Sequence, residues 1–184
     1  MSNPMDSKAD RLQEEAVQRF DPQKPLAVFL VGGEHDLGAA ALRVFQSSHG
    51  SEYRQILFLS VGVLDYGVMD AGVGEHGYDD PEKARHLKLK TELALRPYLD
   101  TAREMGMTVD SHVSIATDPI EEIDLLSTKI ALVCPRAVFF VSKLVFQKPN
   151  WFHRFLHKGT SDAIRKRLEK KGFPVSVLPV VVPM

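Results

Sequence analysis

Three small residues in a row, Gly159-Thr160-Ser161, stand where a polar loop gives way to a helical pattern that runs to Lys171 and stops at Gly172. Glycine lets a backbone approach a ligand closely, and free peptide N–H groups with a neighbouring hydroxyl bind anions. The first N–H groups of a helix have no partner within it, and the helix dipole favours negative charge there. A glycine pair, Gly32-Gly33, closes the first apolar run of the chain. Val61 closes the second, and Ser142 and Lys143 follow the fourth. Gly32, Gly33, Val61, Ser142, Lys143, Gly159, Thr160 and Ser161 are therefore the candidate binding residues. The chemistry they suit is holding a phosphate or another anion.

Bond-breaking chemistry has less support. Ser60, Ser142 and Thr160 have no base at a telling spacing, and no nucleophile elbow is present. Glu34, His35, Asp36 and the Glu75-His76 pair lack ligand spacing on a regular element, so no metal is expected. Asp162 is the one acid placed to serve an ATP-hydrolysing or nucleotidyl-transferring enzyme, the weaker alternative. The expectation is a protein that is not an enzyme.

The elements that must position the candidates alternate in type. Residues 26–31 form a continuous apolar run bounded by Pro25 and Gly32-Gly33, which suits a strand buried on both faces. A helix is predicted over 36–47, with Leu37, Ala41, Val44 and Phe45 inward, then a strand over 55–61. A glycine-rich segment, 62–80, follows and reads as a flap over the ligand crevice. Pro81 opens a long helix that Gly106 stops. Residues 108–115 alternate as a strand with one wetter face, expected at a sheet edge. Asp118-Pro119-Ile120-Glu121 is a capped helix start, and Pro135 ends that helix. Residues 137–141 are the fourth strand, 142–158 a polar, aromatic-rich loop, and 175–182 the last strand.

Strands alternating with helices imply a parallel sheet with helices on both faces and right-handed crossovers. The expected architecture is an open five-stranded α/β sheet of order 3-2-1-4-5. In such sheets ligands sit beyond the carboxyl ends of the strands, where the order reverses, here between the first and fourth strands. Residues 26–184 form this domain. Residues 1–25 are read as a polar tail or linker helix, in which 9–20 place Leu12, Ala16, Val17 and Phe20 on one face.

Composition narrows the partners. The net charge of -1 gives no argument for nucleic acid, and no apolar stretch is long enough for a membrane span. The single cysteine, Cys134, excludes an internal disulfide and, with no secretion signal in view, suits the cytoplasm. Charge is unevenly spread: nine Lys/Arg lie between Lys143 and Lys171 against only Asp162 and Glu169. They read either as a solvated helix face or as a patch for phosphate, anionic lipid or an acidic partner. Trp151, Phe152, Phe155 and Leu156 among His153, Arg154, His157 and Lys158 read either as a packed helix or as a partner-contact stripe.

The order of elements from Leu26 to Val182 resembles the universal stress protein family. The first strand ending in Gly33-Glu34 is similar to that family's first turn. Gly159-Thr160 before a helix, then Pro174-Val175-Ser176-Val177-Leu178-Pro179, is similar to its closing segment. Residues 57–63, 135–140 and 151–157 resemble the universal-stress-like cytosolic domains at the C-termini of some amino-acid permeases. The resemblance implies ATP or another nucleotide as ligand, a homodimer through the last strand (Val175–Val182), and a protein or membrane-transporter partner in place of a ligand as the alternative. It also implies a degenerate site. ATP-binding members carry Gly-x2-Gly-x9-Gly-Ser/Thr, and counting back from Gly159 lands on Pro149 and Phe146. Gly32 stands where those members have an aspartate. The expected function is a regulatory or sensory domain.

Overall fold

The computed structural model describes residues 19–31, 38–63, 81–146 and 158–182. Strands and helices alternate as β1 (Leu26–Val31), α1 (Gly38–His49), β2 (Gln55–Val63), α2 (Pro81–Glu104), β3 (Thr108–Ala116), α3 (Pro119–Val133), β4 (Ala137–Phe146), α4 (Lys158–Lys170) and β5 (Val175–Val182). The strands pair in parallel in the order β3-β2-β1-β4-β5. This is the expected order 3-2-1-4-5, with β3 and β5 at the edges.

β1 is apolar throughout because both of its faces are covered. Leu26, Val28 and Leu30 join Ile123, Leu126 and Ile130 of α3 and Ile164 and Leu168 of α4. Ala27 and Phe29 join Leu42 and Phe45 of α1 and Leu95 and Ala102 of α2. On that second face Phe29 stacks on Phe140 of β4, centroids 5.4 Å apart, and meets Phe45 edge-on at 4.9 Å. His49, at the end of α1, stacks on Phe45 and meets Phe140 edge-on.

The helix ends follow their sequence signals. Asp118 accepts the N–H groups of Ile120 and Glu121, with Pro119 in the first helical position of α3. In the same first turn Glu122 accepts the Ser114 hydroxyl. Gly106 (φ 72°) and Gly172 (φ 81°) take the left-handed conformation just past α2 and α4. After Gly172, Phe173 N–H bonds Leu168 carbonyl at 3.1 Å, and the two side chains share one core. After Gly106, Met107 N–H bonds Ala102 carbonyl at 3.1 Å.

Three boundaries differ from the sequence reading. α1 starts at Gly38 and ends at His49, later than expected, and buries Leu42 beside Ala41 and Phe45. β2 continues to Val63 because its last residues pair with Ser114, Ile115 and Ala116 of β3. β4 runs through Phe146, so Ser142 and Lys143 are strand residues and not the start of a loop. The ladder to β5 extends that strand: Ser142 pairs with Leu178 and Phe146 with Val182.

Of the N-terminal segment that the sequence sets apart, residues 19–25 are docked on the domain. Phe20 is 3% exposed within the α3–α4 core. The buried Gln55 side chain accepts Asp21 N–H at 2.6 Å and donates to Asp21 carbonyl at 3.0 Å. Arg19 pairs with Asp110 at 2.9 Å, and Arg136 donates to the Gln23 carbonyl at 2.9 Å.

Candidate functional site

Among the described residues the strand ends leave a notch. β1 stops at Val31, opposite Ser60 of β2. On β4 its pairing reaches only Val141, opposite Leu30. Past that level β2 stays paired to β3 through Val63 and Ala116, and β4 stays paired to β5 through Phe146 and Val182. At ~3.3 Å per residue, the two ribbons rise roughly 10 Å and 13 Å beyond the end of β1. The short central strand is the floor, and the strand order reverses at it. Open α/β sheets hold their ligands at this place.

The candidates divide among the parts of the notch. Val61 lies in the β2–β3 wall, paired with Ser114. Ser142 and Lys143 lie in the β4–β5 wall, paired with Leu178 and Pro179. Gly159, Thr160 and Ser161 fall inside the first turn of α4, which begins at Lys158. These three candidates are therefore themselves among the residues whose N–H groups have no partner within the helix. No acid sits in that first turn to compete for them. α4 returns the chain from the carboxyl end of β4 to the start of β5, so its first turn lies on the notch side of the sheet. Gly32 and Gly33, residues 147–157 of the expected loop 142–158 with its aromatic stripe, and residues 64–80 of the expected flap 62–80 lie outside the described residues.

Two polar groups at the notch had no sequence signal as binding elements. Ser60, buried, donates its hydroxyl to the Val31 carbonyl at 2.9 Å and so satisfies the last carbonyl of β1. That bond occupies the hydroxyl in structure. Ser114, also buried, donates to Glu122 beside the β2–β3 wall. Their signal is a serine in an apolar run, which only the neighbouring strand or helix explains.

The basic run of the sequence is partly spent inside the fold. Arg167 Nε lies 3.1 Å from Asp124 Oδ2, and Lys171 Nζ lies 2.8 Å from Oδ1. Burial pushes the Asp124 carboxyl up, but Lys171 and then Arg167 outweigh it and hold the group below the usual carboxylate range. Arg165 pairs with Asp162 at 3.8 Å and with Glu169 at 3.2 Å along α4. Lys166 and Lys170 are exposed. Asp162 thus stands on the solvent side of α4 in an ion pair. Cys134 is buried, which raises its thiol above the ordinary value, and its N–H closes α3 on the Ile130 carbonyl. Among the described residues no group of three His, Cys, Asp or Glu is placed to hold a metal, and no helix is long and apolar enough to cross a membrane.

Comparison with known proteins gives fold neighbours only. No protein-family model matches the chain, and no curated protein sequence matches it. Among solved structures it is similar to the universal stress protein from Archaeoglobus fulgidus in complex with dAMP, at 14% identity over 86% of this chain and 99% of that chain, TM-score 0.47. It is similar to a universal stress protein family member from Burkholderia pseudomallei, at 12% identity over 83% of this chain and 95% of that chain, TM-score 0.49. A further structure of universal stress protein from Archaeoglobus fulgidus matches at 13% identity over 84% and 93%, TM-score 0.48. The class of the protein, an α/β domain with a switch-point notch, rests on its own strand order and register.

Proposed function

We propose that this chain is a non-enzymatic regulatory or sensory domain of the universal-stress type, which binds a nucleotide or another anion in the notch above β1. The observation that carries the reading is the short central strand between two taller ribbons at the point where the strand order reverses. The first turn of α4 supplies unpaired N–H groups on the same side, with no acid among them. The departures at Phe146, Pro149 and Gly32 from the ATP-binding pattern set the affinity below that of the glycine-rich members.

The test is a thermal-shift and calorimetric titration of the protein with ATP, AMP and cyclic dinucleotides at millimolar concentration. A ligand that binds only the folded state at 100 times its Kd raises stability by ~2.7 kcal/mol, a shift of several degrees. No shift with any of them refutes the ligand reading.

The assembly proposed is a homodimer through β5. This edge strand is apolar and β-branched, pairs only with β4 among the described residues, and exposes Val177. An open edge of this kind invites a second chain. Sedimentation equilibrium should give twice the chain mass, and Val177→Lys should shift it toward monomer. A wild-type monomer at tens of micromolar refutes the dimer. A transporter or other protein partner in place of a ligand is the second reading, favoured by the exposed leucines of α2 and α3, Leu89, Leu93, Leu125 and Leu132.

A further inference from the structure

We propose that the α3–α4 layer, in the half nearest the amino ends of the strands, is a docking surface for an anionic phospholipid bilayer. The chain has a net charge of -1, yet residues 127–136 and 163–171 hold seven Lys/Arg against Glu169 alone. The fold sets these two segments side by side. Arg167 and Lys171 of the α4 end both reach Asp124 of α3, and Lys171 also donates to the Thr128 hydroxyl at 3.4 Å.

Most of this charge stays unbalanced. Asp124 offsets one of the two cations that hold it, and Asp162 and Glu169 offset Arg165. Lys129, Lys166 and Lys170 pair with no acid among the described residues. Arg136, exposed just past α3, donates to the Gln23 carbonyl. A helix dipole attracts cations to the last turn, which accounts for Lys170. It does not account for Lys129 or Lys166, which precede the last turns of their helices. A cationic surface of this kind is complementary to an anionic one.

The apolar group among the cations selects a bilayer. Leu132 is 74% exposed and Leu125 42%. Each follows a buried isoleucine, Ile130 or Ile123, by two residues, which is ~200° around the helix. Both leucines therefore lie on the side of α3 opposite the core. Lys129 precedes Leu132 by three residues, and Thr128, which Lys171 reaches, precedes it by four, so cations flank it on both sides. Leucines at the summit of a two-helix layer meet a plane: they enter the acyl boundary while the cations lie at the headgroups. A peptide-binding groove would hold them at its floor, and nucleic acid would set them against phosphate. The acids of the first turn of α3, Glu121 and Glu122, lie at the opposite end of the layer. Anionic headgroups repel them, which turns the amino edge of the sheet toward the bilayer and the carboxyl edge away from it.

The test is co-sedimentation of the full chain with phosphatidylcholine vesicles, with and without a third of phosphatidylserine, at low and high salt. The expected result is binding to the anionic vesicles alone, lost at high salt. Lys166→Gln with Lys170→Gln should weaken it roughly 25-fold, at ~5-fold per cation. Leu132→Ser should weaken it roughly tenfold with no change of charge. The control, Arg43→Gln with Arg96→Gln, removes the same charge from exposed positions of α1 and α2 on the other face of the sheet, and should bind like the parent. No binding to the phosphatidylserine vesicles, equal binding to the neutral ones, or an equal loss in the control would overturn the proposal. Retention on immobilised polyglutamate without vesicle binding would make the partner an acidic protein and overturn it too.

Discussion

Asp124→Asn should cost the fold about 2 kcal/mol at neutral pH, and the cost should shrink in acid. The Asp124 side chain is 8% exposed and is held by Arg167 at 3.1 Å and Lys171 at 2.8 Å. Breaking a fully buried ion pair costs ~3–5 kcal/mol, mostly through the charge left without a partner. Here the charges left behind are cations whose side chains are half exposed, so both turn to water and the cost falls toward the ~1 kcal/mol of a surface pair. An asparagine keeps one acceptor oxygen for one of the two cations and turns an NH2 donor toward the other, which places the loss between the limits. The sign with pH follows from the depressed carboxyl. Its contribution is complete above the unfolded value of ~4 and fades as pH falls from there through the lower folded value. Urea unfolding of both proteins at pH 7 and pH 3 measures the gap. A difference under about 0.5 kcal/mol at pH 7, or an equal difference at both values, would refute the reasoning. Because α4 carries the first turn proposed to bind the anion, the same variant should weaken any ligand-induced shift.

Three further outcomes follow from named contacts. Phe20→Ala should destabilise by ~3–5 kcal/mol, seen as a fall in the urea midpoint, because it empties a core position; a loss below about 1 kcal/mol would return residues 19–25 to the status of a tail. Asp118→Ala removes the acceptor of two N–H groups at the start of α3 and should lower stability by about 1 kcal/mol, read from Tm. Pro97 stands inside α2 at an exposed position; Pro97→Ala restores a helix hydrogen bond at the cost of some unfolded-state freedom and should raise stability by about 2 kcal/mol, with an unchanged or lower Tm counting against it.

Gly106 and Gly172 show why the helix ends were legible. A left-handed residue past a helix favours glycine on steric grounds alone, so the signal is local and survives in the chain. Asp118-Pro119 is of the same kind, with side-chain oxygen and ring geometry acting within three residues. The apolar run of β1 was equally plain, because a strand covered on both faces has no polar period to confuse the reading. From these, the element order and the 3-2-1-4-5 sheet followed.

What the sequence determined by itself was therefore the set of elements, their order and the glycine-hydroxyl triplet at the start of the last helix, since each depends on neighbours within a turn or two. The tertiary structure decided the rest. β4 outruns its expected end because Leu178 to Val182 offer it a ladder, and β1 ends short beside it, so the depth of the notch is a difference between strands far apart in the chain. Arg167 and Lys171 leave the basic patch because Asp124, more than forty residues earlier, is buried against them. Phe20 leaves the tail because it joins the core cluster that holds Leu26, Ile130 and Cys134. Burial and pairing are properties of two segments at once, and no single stretch of sequence holds them.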